Sequence, residues 1–388
     1  MNEFIPLSVP NLKGNELKYV TEVVETEWVS TGGAYIDKFE KNIADYLKVE
    51  SAVACQSGTA ALHLSLIQSG VCSGDEVIVP TLTFIAAVNP VRYCNAYPVF
   101  MDCDDSLTMD TYKLKGFCET KCDYINGMLI NIETKRKIKA IIVVHIFGNI
   151  ANMTEIMKIA NRYNLKVIED ATEALGSYYT EGIYKGKFAG TIGDFGAYSF
   201  NGNKIITTGG GGMVVAKNRE DLRKIKYLST QAKDDILYYV HGEVGYNYRM
   251  TNIQAAIGVA QLEKLEEFIK IKKNNYNLYK ELLNEIDGVN ILNFNKSNRP
   301  NYWFYTLMLD GYNINRDQVI KKLYENKIQT RPIWGLVHEQ KPYLDAECYK
   351  IEKACYYHNK VINIPCSSNL KKEDVMKVVQ YINKSLFQ

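Results

Sequence analysis

At 388 residues the chain suits two domains, or one large α/β domain with an appendage, and its 46% apolar content is ordinary for a protein with a substantial buried core. A formal net charge of +2, from 46 basic and 44 acidic side chains, gives no electrostatic case for nucleic-acid binding. The longest apolar runs, such as 140–144, are strand length and too short to span a bilayer, so no membrane partner is expected.

The first residues, Met1-Asn2-Glu3-Phe4-Ile5-Pro6, carry neither a basic n-region nor an apolar h-region, so no signal peptide is expected. Next, 24–30 leads into Thr31-Gly32-Gly33, a turn before a predicted helix over 34–47. From residue 50 to about 215, short β-rich apolar runs alternate with helical periodicity, the pattern of βαβ units around a mainly parallel sheet. Strands are predicted over 51–55, 76–79, 97–101, 140–145, 166–170, 195–200 and 212–216, with helices over 59–68 and 153–163 among them. From 252 to about 285 a pattern rich in Gln, Leu, Glu and Lys predicts one extended helix. A strand over 302–308 and helices over 316–326 and 371–386 then predict a smaller α+β domain. The expected division is a large domain over 1–250 and a small one over 251–388. Nine cysteines at irregular spacing, several in apolar surroundings such as Cys55 and Cys94, suit a reducing cytoplasmic compartment. Cys118 and Cys122 have no second Cys or His pair at ligand spacing, so no metal is expected.

Three predicted strand ends carry chemistry. Ser57-Gly58-Thr59 opens the helix after the first strand, where unpaired N–H groups and the helix dipole favour an anion. Gly58 lets backbone approach that anion closely, and Ser57 and Thr59 add hydroxyls. Asp170 ends the run Leu165-Lys166-Val167-Ile168-Glu169-Asp170, and Lys204 follows Ser199-Phe200-Asn201-Gly202-Asn203. A surface loop lysine is the plainer reading of Lys204 taken alone. An anion cradle, an acid and an ordered lysine in that order suit pyridoxal 5′-phosphate: a phosphate to hold, a ring nitrogen to keep protonated and an aldehyde that condenses with an amine. The block Gly209 to Gly212 has no adjacent Gly-Lys-Ser/Thr, so it is not a P-loop, and is read as backbone turning sharply beside the cofactor.

These stretches, with Gly74-Asp75-Glu76-Val77-Ile78-Val79-Pro80-Thr81-Leu82-Thr83-Phe84 and Val244-Gly245-Tyr246-Asn247-Tyr248-Arg249-Met250, resemble the DegT/DnrJ/EryC1/StrS family of PLP-dependent nucleotide-sugar aminotransferases, from about Pro6 to the C-terminus. The Asn-Gly-Asn before Lys204 and the glycines after it most resemble the LegC-like branch. The resemblance implies the α/β architecture called PLP fold type I, the aspartate aminotransferase-like fold: a large domain with a mainly parallel seven-stranded sheet, a small C-terminal α+β domain, and a homodimer with active sites at the subunit interface. It implies Lys204 as the catalytic lysine and Asp170 as the partner of the ring nitrogen. Ser57, Gly58, Thr59 and Ser199 would hold phosphate, Glu173 would lie near the cofactor's 3′-oxygen, and Phe84 would stack on the ring. Asn247 would reach the partner subunit's phosphate. Arg249 would serve that anion or the sugar diphosphate, and His338, in Arg331-Pro332-Ile333-Trp334-Gly335-Leu336-Val337-His338, would line the sugar pocket.

The implied reaction carries an amino group from L-glutamate to C4 of a nucleotide-linked 4-keto-2-acetamido-2,6-dideoxy sugar, as in legionaminic acid or bacillosamine-type pathways. Another 3- or 4-keto nucleotide sugar is the alternative. A sugar dehydratase of the same fold would carry His in place of Lys204. A non-catalytic PLP-binding protein would need an appended sensor module. An amino-acid aminotransferase would need a small-domain arginine such as Arg331 or Arg299 on the α-carboxylate.

Overall fold

The computed structural model describes residues 4–235, 237–310 and 315–387. All seven predicted strands lie in one large sheet, ordered Val53–Cys55, Gly212–Ala216, Phe195–Ser199, Lys166–Asp170, Lys137–Val144, Glu76–Pro80, Tyr97–Met101. From Phe195–Ser199 through Tyr97–Met101 the neighbours run parallel, while Gly212–Ala216 is antiparallel to both of its neighbours. These central strands are buried almost throughout, which is why they read as continuous apolar runs rather than alternating ones.

The sheet is larger than the expected seven strands. Glu347–Tyr349 adds a parallel edge strand beside Tyr97–Met101, and the hairpin Cys122–Ile125/Met128–Asn131 pairs onto Lys137–Val144. The hairpin turns through Asn126 (φ 51°) and Gly127 (φ 77°), both in the left-handed region that a two-residue turn of this hand requires.

The extended helix predicted from 252 is two helices, Asn252–Leu262 and Leu265–Leu283, broken at Lys264 (φ −105°, ψ −3°). No Pro or Gly causes the break; the two halves serve different partners. Asn252–Leu262, opened by a capping box between Thr251 and Gln254, packs on Glu16–Glu25 and Ala34–Leu47 in the large domain. Leu265–Leu283 packs on the last helix, Lys372–Phe387. The small antiparallel sheet is ordered Val289–Ile291, Tyr305–Leu309, Val361–Ile364, Arg331–Pro332. Its second strand starts later than predicted because Tyr302 takes φ 56°, and Trp303 and Phe304, which follow it, line the central cavity instead of extending the strand.

The N-terminal segment seams the two domains. Ile5 exchanges backbone hydrogen bonds with Lys327 and Gln329, Cys366 N–H donates to the Leu7 carbonyl, and the Ser8 hydroxyl donates to the Asn203 carbonyl at 3.1 Å. Among the described residues no helix is long and apolar enough to cross a membrane.

Candidate active site

The carboxyl ends of the parallel strands open into one cavity of about 660 Å³, closed on the far side by the small domain. In open α/β sheets this crevice is where ligands sit. Ser57, Gly58, Thr59, Phe84, Asp170, Glu173, Ser199 and Lys204 all lie on its wall.

Ser57 caps the helix Gly58–Gln68, its hydroxyl oxygen accepting from the Ala60 N–H at 3.1 Å, which leaves the hydroxyl proton free to donate outward. Gly58 is required by space. A Cβ there would stand 2.9 Å from Ser199 Cβ and 2.9 Å from Thr172 Cγ2, two side chains that also line the cavity. Behind it, a Cβ on Gly212 would meet Gly58 N at 2.7 Å, so the glycine block serves close packing of a strand against the cradle. The expected effect of Gly58→Ala is a loss of about tenfold or more in affinity for pyridoxal phosphate, because Thr172 and Ser199 must shift into the cavity. An absorbance titration of the cofactor-free protein measures it.

Asp170 is 3% exposed, and its Oδ1 accepts the Thr172 N–H at 3.0 Å. Burial pushes this carboxyl above its ordinary range, with the Thr172 hydrogen bonds and the Lys204 charge pulling the other way. No basic side chain among the described residues forms an ion pair with it, and Lys204 acts on it only across the cavity, so the site holds a buried acid with no direct charge partner. Behind it, fully buried Glu169 accepts N–H groups of Gly190 at 2.8 Å and Ile192 at 2.6 Å and meets His145 Nε2 at 2.7 Å. His145 Nδ1 accepts from the Ala151 N–H at 3.2 Å, which makes Nε2 the protonated nitrogen. His145 therefore lies in a rigid floor behind Asp170, off the cavity wall.

Lys204 Nζ stands 3.7 Å from Glu173 Oε1 and 4.2 Å from the centre of the Trp303 ring. The Trp303 indole N–H donates to the Asn203 carbonyl at 2.7 Å, so the small domain holds the residue before Lys204 as well as facing its amine. The second Glu173 oxygen accepts the Phe147 N–H at 2.8 Å; Phe147 itself sits at φ 55°, a conformation costly for a bulky residue. Burial pushes Glu173 up to about 7, against the opposing pull of Lys204. Its unfolded value is the ordinary 4.5, so the folded chain binds the extra proton, and this stabilisation is lost as pH rises from about 4.5 to about 7. In Glu173→Gln the loss is removed. The melting temperature of the cofactor-free variant is expected to gain on wild type across that window in a fluorimetric scan; parallel curves would refute the assignment.

Phe84 is half exposed, on the cavity wall, its ring centre 6.3 Å from that of Trp334, which in turn packs at a tilt against Phe147, ring centres 4.9 Å apart. The small-domain wall also carries Trp303, Gln329 and Asn363, none assigned a role in this site from the sequence, and Arg331, named from the sequence only for the rival amino-acid aminotransferase. A family-like motif around 331–338 marked this loop but not which of its side chains faces inward.

Asn247, Arg249 and His338 are not on the cavity wall. Residues 247–249 run beside the strand that precedes the cradle: Gln56 N–H donates to the Tyr248 carbonyl, Cys55 bridges to Arg249, and Asn247 is exposed. The buried Arg249 Nε has no hydrogen-bond partner. His338 turns its Nδ1 to the Thr81 hydroxyl at 2.6 Å, and Val337 N–H donates to the Thr81 carbonyl at 3.0 Å. It thus pins the loop that presents Phe84. Arg299 is engaged away from the cavity, by Glu266 and the Gly176 carbonyl.

Residues 10–383 match the profile of the DegT/DnrJ/EryC1/StrS aminotransferase family. A GDP-perosamine synthase of Caulobacter vibrioides is 40% identical, with 98% of both chains covered. The putative pyridoxal phosphate-dependent aminotransferase EpsN of Bacillus subtilis is 36% identical over 98% of this chain and 96% of its own. Among solved structures, the aminotransferase TlmJ of Streptoalloteichus hindustanus superposes with a TM-score of 0.88 at 25% identity, covering 99% of each chain. The architecture is thus fold type I.

Proposed function

Since the chain belongs to the DegT/DnrJ/EryC1/StrS aminotransferase family and is a pyridoxal-phosphate-dependent sugar aminotransferase, we propose that it moves an amino group from L-glutamate to C4 of a nucleotide-linked 4-keto-6-deoxy sugar. The observation that carries the reading is a single cavity walled by a capped helix N-terminus, a buried acid with no ion-pair partner among the described residues and a lysine held between Glu173 and Trp303. These residues fit the cofactor. The cradle leaves no room for a Cβ at Gly58, and the buried Asp170, which has no ion pair among the described residues, suits a cationic ring nitrogen.

Bound pyridoxal phosphate would supply an aldehyde for the amine and a ring that withdraws electrons from the amine-bearing carbon. Ser57, Thr59, Ser199 and the helix N–H groups would hold its phosphate. Asp170 would hold the proton on its ring nitrogen. Lys204 Nζ is the base that takes and returns the proton at the substrate's amine-bearing carbon. Glu173 keeps that amine in place, and Phe84 and Trp334 exclude water and offer an apolar wall to a 6-methyl group.

GDP is the favoured carrier, on the name of the 40%-identical relative that matches over 98% of both chains. The second reading is a UDP-linked 4-keto-2-acetamido-2,6-dideoxy sugar, favoured by the LegC-like Asn201-Gly202-Asn203 and the block Gly209 to Gly212. Incubating the enzyme with L-glutamate and each ketosugar, then following the aminosugar by mass spectrometry, separates them; no aminosugar from either ends the proposal. A homodimer is part of the reading. It is supported by Leu237, Tyr238 and Val244, exposed at 73%, 75% and 86% near Asn247. Light scattering is expected to give twice 44.2 kDa, and a monomeric mass would contradict it.

A further inference from the structure

Behind the cavity, the small domain buries a pair of nucleophiles that the chemistry at Lys204 leaves unused. Lys272, on the helix Leu265–Leu283, is 2% exposed, and Cys366, just after the strand Val361–Ile364, is fully buried. The Lys272 ammonium donates to the Trp303 carbonyl at 3.3 Å and to the Cys366 carbonyl. The Cys366 thiol donates to that same Trp303 oxygen at 2.8 Å, so amine and thiol meet over one acceptor. No carboxylate among the described residues pairs with Lys272, and among them it is the only buried lysine. Burial of an ammonium without an anion pulls it below its ordinary range, toward the neutral and nucleophilic amine. Burial pushes the Cys366 thiol up, while the Lys272 charge and hydrogen bond pull it back toward the thiolate. The buried Tyr279 hydroxyl, close enough to feel the charge of Cys366, has no hydrogen-bond partner, and so has a proton to offer an oxygen on that sulfur.

We propose that Lys272 and Cys366 are an oxidative cross-linking site, joined Nζ to Sγ as a sulfenamide when a hydroperoxide reaches the thiol. The thiolate attacks one peroxide oxygen and the O–O bond breaks. Sulfur keeps a hydroxyl as sulfenic acid, and the departing hydroxide takes a proton from the Lys272 ammonium and leaves as water. The neutral amine then attacks sulfur. The N–S bond forms, the S–O bond breaks, and the hydroxyl leaves with the amine proton as a second water. Sulfur is oxidised by two electrons and the peroxide is reduced by two. Ser8 hydrogen-bonds the thiol and lines the cavity, so the pair lies directly behind the cavity wall, where a small peroxide can reach it.

The test treats the cofactor-loaded wild type with hydrogen peroxide and maps its peptides by mass spectrometry, before and after a dithiol reductant. The expected product is a Lys272–Cys366 peptide pair lighter by two hydrogens than its separate parts, and released by the dithiol. The link closes a span of 94 residues, so the linked protein is expected to melt about 3 °C above the same sample after the dithiol. Lys272→Arg keeps the cation but offers a guanidinium that does not condense, and is expected to yield Cys366 unlinked. A wild-type pair that retains one oxygen, formed with a second equivalent of peroxide, joins the same residues through N–O–S and supports the site. Cys366 recovered as a free thiol or an unlinked sulfinic acid, while the exposed Cys72 and Cys348 are oxidised, overturns the inference. A link from Cys366 that persists in Lys272→Arg overturns it as well.

Discussion

Lys204→Ala is expected to lower turnover by about 10⁴-fold or more, since it removes both the covalent attachment of the cofactor and the base at the reacting carbon, and proton transfer alone is worth about 10²–10⁴. The fold has little reason to suffer. The side chain stands in a cavity, and its contacts there, Glu173 Oε1 at 3.7 Å and the Trp303 ring at 4.2 Å, are not packing that a core depends on. Borohydride reduction of the wild type is expected to fix the cofactor on Lys204, read by peptide mapping, and to fix none on the variant. A label on a different lysine, or a variant within about tenfold of wild type, would remove Lys204 from the role.

Asp170→Asn is expected to cost about 10²–10³ in kcat while leaving the borohydride label on Lys204, because without the carboxylate the ring nitrogen loses its proton more readily and the ring withdraws electrons less well. The substitution is nearly isosteric and keeps an oxygen to accept the Thr172 N–H, so cofactor content and melting temperature are expected to stay near wild type. Burial pushes the Asp170 carboxyl up despite the opposing Thr172 hydrogen bonds and the Lys204 charge, so the cofactor-free protein is expected to tolerate a neutral amide better than the loaded enzyme does. A variant with kcat within about tenfold of wild type would show that the acid does not act on the ring nitrogen.

The contrast between these two residues and the rest of the site says what a sequence carries. Lys204, Asp170 and the Ser57-Gly58-Thr59 turn were legible because each ends or closely follows a buried strand whose apolar run marks it, and because their chemistry is local to a few residues. The small-domain wall was not. Trp303 and Phe304 read as the start of a strand, and only the left-handed Tyr302 turns them inward. Arg331 and Asn363 lie 32 residues apart and meet through strand pairing that no periodicity encodes. His338, expected in the sugar pocket, has its Nδ1 on the Thr81 hydroxyl, a long-range contact that no local pattern encodes. The hairpin over 122–131 carries a readable signal in Asn126-Gly127, but its strands are short and the first is largely exposed, so no apolar run marks them. The break at Lys264 had none, since it arises from packing on two different domains.

A crystal structure of the protein grown with pyridoxal phosphate tests the central claim most directly. The account predicts one cofactor molecule per chain, joined to Lys204 Nζ at its aldehyde carbon, with its ring nitrogen against the Asp170 carboxylate and its phosphate on the Ser57–Thr59 turn. A cofactor bound elsewhere, or one that touches Lys204 while Asp170 faces empty space, would contradict it.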